Sequence, residues 1–171
     1  PPINPAVPLA VVDPRRPIPA VPDGYAAVIR TFGPACHVAM GTVQLPHPIG
    51  EFSEFKVHFD LRDAFSRVFD RIDKASAWGL LHDFGGCFCC RGVRGKPNKM
   101  SLHSFAIAVD LNTTFNPMTT APTQAAFDPA NPYVFTLYHP VVLAFKAEGF
   151  MWGGGFKNRH DAMHFQYAIN C

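Results

Sequence analysis

At 171 residues the chain is one domain on size grounds, with room for a hydrophobic core. A formal charge of +2 and scattered basic residues exclude a nucleic-acid footprint; the nearest cluster, Arg91 to Lys99, is broken by Gly and Pro. With 48% hydrophobic and 16% charged residues the composition is globular, and no apolar run reaches the length of a membrane span.

The chain begins without an initiating Met or a signal peptide, so it reads as a processed or excised piece. Residues 1–23 carry Pro at 1, 2, 5, 8, 14, 17, 19 and 22, which no helix or central strand survives. They form an extended arm whose Val and Ile residues lie against the domain spanning 24–171. Residues 24–33 predict a short helix with Asp23 as N-cap and Gly33 as its end. Residues 34–48 read as loop, with a short strand at 37–43. From Val57 through Ala77 the residues Leu61, Phe65, Val68, Phe69 and Ile72 recur at three and four, the stripe of a long helix ending near Gly79. His58 falls three before Leu61 and reads as a core-edge histidine.

Residues 81–89 predict a strand and 91–98 a Gly-rich loop. Phe105, Ile107 and Val109 alternate with small residues, the period of a half-buried strand. Residues 116–132 form a long Thr, Ala and Pro loop, expected over the site and packed by Phe115 and Phe127. Pro140 opens a helix ending at Glu148-Gly149. Residues 150–152 predict a strand running into Gly153-Gly154-Gly155. Residues 163–167 close the fold as a strand, with His164 and Gln166 on one face and Phe165 and Tyr167 on the other.

The chemistry gathers in two stretches, 101–110 and 161–164. His103, Asp110 and His164 offer a zinc ion two imidazoles and a carboxylate, leaving a fourth position open for water. In a straight strand His103 would face away from Asp110, so the two converge only if His103 sits where the chain bends into the strand. Spacing alone does not separate this from two core-edge histidines and an Asp capping a turn. His160 and His164 would align on a helix, which the Gly run before and the alternation after disfavour. Asp161, three residues before His164, is suited to take a proton from the attacking water and hand it to the leaving amine. Glu148 and Asp128 are the other carboxylates considered for that role. Arg91 and Arg94, just upstream, are placed to contact a substrate carboxylate or a developing oxyanion.

Five cysteines, three of them at 87, 89 and 90, predict at least one disulfide, from that segment to Cys36 or Cys171, with at least one thiol left unpaired.

The chain resembles the zinc peptidases of bacterial cell-wall metabolism, which include D-alanyl-D-alanine carboxypeptidases and the L-alanyl-D-glutamate endopeptidases of phage lysins. The pattern is Ser-x-His-x-x-Gly-x-Ala-x-Asp, then Gly-Phe-x-Trp-Gly-Gly and Asp-x-Met-His-Phe, here Ser101 to Asp110, Gly149 to Gly154 and Asp161 to Phe165. More thinly, the likeness extends over residues 24–171. The resemblance implies His103, Asp110 and His164 as Zn2+ ligands, Asp161 as acid/base, and an upstream arginine as carbonyl contact, Arg91 matching better than Arg94. It implies a small single-domain α+β fold, helices packed on a mostly antiparallel sheet, with zinc in a surface groove. It further implies a monomer that hydrolyses peptidoglycan stem peptides, L-Ala-D-Glu endopeptidase favoured over D-Ala-D-Ala carboxypeptidase. Such an enzyme acts at the bacterial cell wall, secreted or phage-delivered. A catalytically silent wall-binding module on the same fold is the alternative. Two departures stand out. Ala106 replaces the pattern's Gly, which matters if that position needs positive φ, and Phe156 stands where Trp is usual.

Overall fold

The computed structural model describes residues 17–120 and 128–171. Among these residues three helices, α1 (Tyr25–Phe32), α2 (Arg62–Lys74) and α3 (Pro140–Ala147), accompany three antiparallel β units. The strands are β1 (Met40–Ile49), β2 (Phe52–His58), β3 (Phe84–Gly86), β4 (Gly92–Val93), β5 (Lys96–Met100), β6 (Ala108–Leu111), β7 (Met151–Trp152) and β8 (His164–Gln166). The four-stranded sheet runs in the order β3-β6-β8-β7, while β1-β2 and β4-β5 are separate hairpins. This is the expected small α+β domain.

The core forms where the helical stripes meet the sheet. Phe65, Val68, Phe69 and Ile72 of α2 are fully covered, as are Val141, Val142 and Phe145 of α3. Phe145 stacks on Phe165 of β8 with ring centroids 4.1 Å apart, and Phe65 meets Phe150 at 4.7 Å. These aromatic contacts seat both helices on one face of the sheet, and the opposite face is left for chemistry. His139 caps α3 by accepting from the Val141 N–H, and Pro140 at the first helical position needs no donor partner.

Several local expectations are corrected. The long helix starts at Arg62, because residues 52–58 alternate and form β2, followed by a 3₁₀ turn over 59–61. Its partner β1 extends through Pro46 and Pro48; a two-stranded hairpin leaves its outer N–H groups unpaired, so prolines are tolerated there. Gly24, not Asp23, occupies the N-cap of α1, while the Asp23 carboxylate accepts from Asn170 Nδ2 at 2.8 Å. Only Phe84–Gly86 of the predicted 81–89 strand is strand, and the Gly-rich loop is the β4–β5 hairpin turning at Arg94-Gly95. His58 is the expected core-edge histidine, with Nε2 3.3 Å from the Phe32 carbonyl.

Residues 17–23 do lie on the domain: the Tyr167 hydroxyl donates to the Pro19 carbonyl, and Ile169 N–H to Pro22. The rest of the arm, residues 1–16, lies outside the described residues, as does the middle of the long loop with Phe127. The loop's beginning is pinned by two buried amides. Asn112 Nδ2 donates to the Leu80 and Tyr133 carbonyls, and Asn116 Nδ2 to Asn112 and Tyr133. Phe115 stacks on Tyr133, and Thr119 bridges to His160.

A disulfide joins Cys36 to Cys90, while Cys87, Cys89 and Cys171 are free thiols. This cross-link spans 54 residues and ties the segment beside the site to the loop after α1. A native disulfide of this kind contributes roughly 2–4 kcal/mol.

Candidate active site

Strand register assembles most of the site. Asp110 on β6 lies directly opposite His164 on β8, so both side chains leave the same face of the sheet, one strand spacing apart. The alternate pair, Val109 and Phe165, faces the helices. His103 arrives from outside the sheet. It sits on a 3₁₀ turn over Leu102–Phe105, and Ala106 then adopts φ 54°, ψ 36°, reversing the chain into β6. The bend required for His103 to face Asp110 is therefore a single left-handed residue.

That residue stands where the pattern has Gly. A left-handed L-residue costs about 1–2 kcal/mol, while deleting its buried methyl would forfeit about 0.8 kcal/mol. Ala106→Gly is accordingly expected to stabilise the fold by about 0.5 kcal/mol. A urea-unfolding midpoint at or below the parent's would contradict this.

The three donors lie close together, all within 4.8 Å of one another. His103 Nε2 is 3.3 Å from His164 Nδ1 and 3.3 Å from Asp110 Oδ2, and His164 Nδ1 is 2.9 Å from Asp110 Oδ1. A tetrahedral zinc with ligands at about 2.0–2.1 Å sets neighbouring donors about 3.3 Å apart. The far side of each ring fixes its tautomer. His103 Nδ1 donates to the Cys87 carbonyl at 2.7 Å, and His164 Nε2 donates to Gln166 Oε1 at 3.1 Å. The inward nitrogens are then both acceptors, and they face a carboxylate. Three acceptors converging with no proton among them call for a cation, so the donor set fits zinc. Burial opposes ionisation of Asp110, but its close contacts with the His103 and His164 rings outweigh it and hold the carboxyl far below the usual range. Cys87 supplies its carbonyl, not its sulfur: burial, reinforced by the Asp110 charge, pushes its thiol well up.

Sequence reasoning did not find the second layer. Gln166 is buried, and its Nε2 donates to the Ala168 carbonyl at 2.9 Å, which turns Oε1 toward His164. The signal was present in the alternation placing His164 and Gln166 on one face, but not the role. Gln166→Leu is expected to weaken zinc binding about 10–100-fold, and Gln166→Glu, which keeps an acceptor for His164 but loses the donor to the Ala168 carbonyl, to weaken it less. Competition against a chromophoric chelator measures this; equal affinities for the parent and Gln166→Leu would remove Gln166 from the centre.

Asp161 joins the same construction through its backbone. Its carbonyl accepts from His164 N–H at 3.0 Å, and its own N–H donates to Gly153. A Cβ on Gly153 would run into the Asp161 carbonyl, and one on Gly154 into the Trp152 indole, which accounts for the glycine run. The Asp161 side chain is 12% exposed and sits 3.8 Å from Arg159 Nη2. It is not one of the three clustered donors. Glu148 is occupied elsewhere, held by Arg67 at 2.7 Å and Arg71 at 2.6 Å. Asp128 caps its own loop through the Ala130 N–H. His160 turns Nδ1 to the Gly154 carbonyl and is no ligand.

A groove of about 630 Å³ reaches the centre at His164 and Gln166. Its lining includes Arg94, while Arg91 lies outside. The Arg91 backbone instead pairs with Ser101 and with the Ser104 hydroxyl, steadying the turn that carries His103. A smaller depression of about 220 Å³ shares Gly155 to Arg159 with the groove and continues to Thr120 and His160.

An open-sided His₂Asp centre with oriented imidazoles, at the wall of a groove, defines a catalytic zinc site. Residues 94–167 match the family model described as D-alanyl-D-alanine carboxypeptidase, and all three donors fall within them. The match over this segment and the His-Asp-His centre together support a zinc peptidase similar to that family. Comparison with curated proteins and with solved structures gave no match. Among the described residues no helix is long and apolar enough to cross a membrane.

Proposed function

We propose that this zinc-dependent peptidoglycan peptidase cuts within the stem peptide, at an L-Ala-D-Glu bond, in preference to trimming a terminal D-Ala. The observation that carries this is the pair of depressions sharing Gly155 to Arg159, which offers chain-binding surface well beyond what a terminal residue requires. His103, Asp110 and His164 would hold the zinc, which when bound acidifies a water and polarises a carbonyl. Asp161 takes the proton from the attacking water and returns it to the leaving amine; its backbone link to His164 supports this assignment. Arg94, as a groove residue, is the better of the two arginines for the developing oxyanion. Action at the bacterial cell wall follows from such a substrate.

Digestion of purified peptidoglycan, with the products weighed by mass spectrometry, tests the reading. Release of intact stem peptides lacking L-Ala is expected. Loss of terminal D-Ala alone would assign the carboxypeptidase activity instead, and no product from zinc-replete protein would favour the silent wall-binding module.

A further inference from the structure

The fold undoes the scatter of basic residues seen along the sequence. Arg94, Lys96 and Lys99 from the β4–β5 hairpin and Lys157 and Arg159 from the segment after the glycine run all line the groove at His164. Five of the chain's fifteen Lys and Arg residues thus share one groove, although the whole chain carries a net charge of only +2. Among the described residues, no Asp or Glu lines it.

Two of these cations are engaged locally: Lys99 lies over the Tyr25 ring, and Arg159 near Asp161 and the Phe156 ring. Arg94, Lys96 and Lys157 have no ion pair with any described residue. Like charges gathered on a partly apolar groove repel one another, and a ligand bearing negative charge relieves that repulsion on binding. The remaining lining is apolar in part, through Val93, Met100, Leu102, Met151, Phe156 and Ile169, which suits a peptide backbone with acidic substituents.

We propose that the groove selects stem peptides whose carboxylates are free and discriminates against the same peptides with those carboxylates amidated. This rests on the peptidase reading above, and specifies the chemical state of the substrate it takes. The selecting residues are Arg94, Lys96 and Lys157, the groove cations without an ion pair among the described residues.

A matched pair of synthetic stem peptides, free acid and carboxamide, tests it. With zinc-replete enzyme at low ionic strength, kcat/KM for the free acid should exceed that for the amide about tenfold, the worth of one or two partly exposed charge pairs. The ratio should shrink as salt screens the groove. In the double variant Lys96→Gln, Lys157→Gln the ratio should fall toward one with zinc content unchanged. Calorimetric binding of both peptides to Asp161→Asn protein gives the preference without turnover. If neither peptide is cut yet the free acid binds tighter, the selectivity stands and the cleavage assignment falls. Kinetics or binding within twofold for the two peptides overturns the proposal. So does equal treatment of the peptides alongside salt-sensitive retention on whole walls, which would assign the cations to a wall polyanion.

Discussion

Replacing His103 with Ala should remove the zinc, abolish turnover to background and lower thermal stability together. The centre has three protein donors, and two of them, Asp110 and His164, remain opposite each other on adjacent strands when the third is gone. A two-donor site holds zinc weakly, because the lost imidazole was the one delivered from outside the sheet, with its tautomer set by the Cys87 carbonyl. A metal that binds only the folded chain stabilises it by RT ln(1 + [L]/Kd), about 2.7 kcal/mol at a hundredfold excess over Kd. For a chain of this size that corresponds to roughly 5–10 °C in Tm. Chelation of the parent should reproduce all three losses, and added zinc should restore them. Elemental analysis showing a full complement of zinc in the His103→Ala protein would sink the assignment. In the metal-free parent, Asp110 has a folded pKa depressed by the two imidazoles. Its contribution to stability is present above the ordinary carboxylate value of about 3.9 and is lost as pH falls through the depressed one.

The ligands were legible in the sequence through the family pattern at Ser101 to Asp110 and Asp161 to Phe165, not through spacing alone. Alternation around Val109 and around Phe165 places Asp110 and His164 on definite strand faces, and strand geometry excludes His103 from the strand that holds Asp110. What alternation cannot show is the register, and it is register that sets Asp110 against His164. The left-handed turn at Ala106 was anticipated only as a consequence of a missing Gly. The β1–β2 hairpin escaped because its prolines look like loop and its second strand abuts a strongly amphipathic helix, whose period absorbed Val57 and His58. The basic groove escaped for a different reason: its cations come from two segments some sixty residues apart, which only the fold brings together. Gln166 was placed on the right face, but a glutamine's role depends on which way its amide points. The Ala168 carbonyl, two residues on, decides that.

Changing Asp161 to Asn should leave the fold and the zinc content near normal and reduce kcat by about 10²–10⁴-fold, the usual worth of a positioned acid/base. The substitution keeps the size of the side chain and its capacity to accept a hydrogen bond, and removes only the ability to carry a proton. The backbone bonds that tie residue 161 to Gly153 and His164 do not involve the carboxylate, so the ligand's position is preserved. The nearby Arg159, 3.8 Å from the carboxylate, loses an ionic partner, a change worth little at an arginine that remains half exposed. The competing carboxylates are committed elsewhere: Glu148 bonds two arginines, and Asp128 its own turn. Because the loss falls on proton transfer and not on substrate contact, KM should change far less than kcat. The measurement is turnover on isolated wall or a synthetic stem peptide, read beside zinc stoichiometry. Activity within a few-fold of the parent in metal-replete protein would take Asp161 out of the mechanism, and a parallel loss of zinc would make it a structural support of His164 instead.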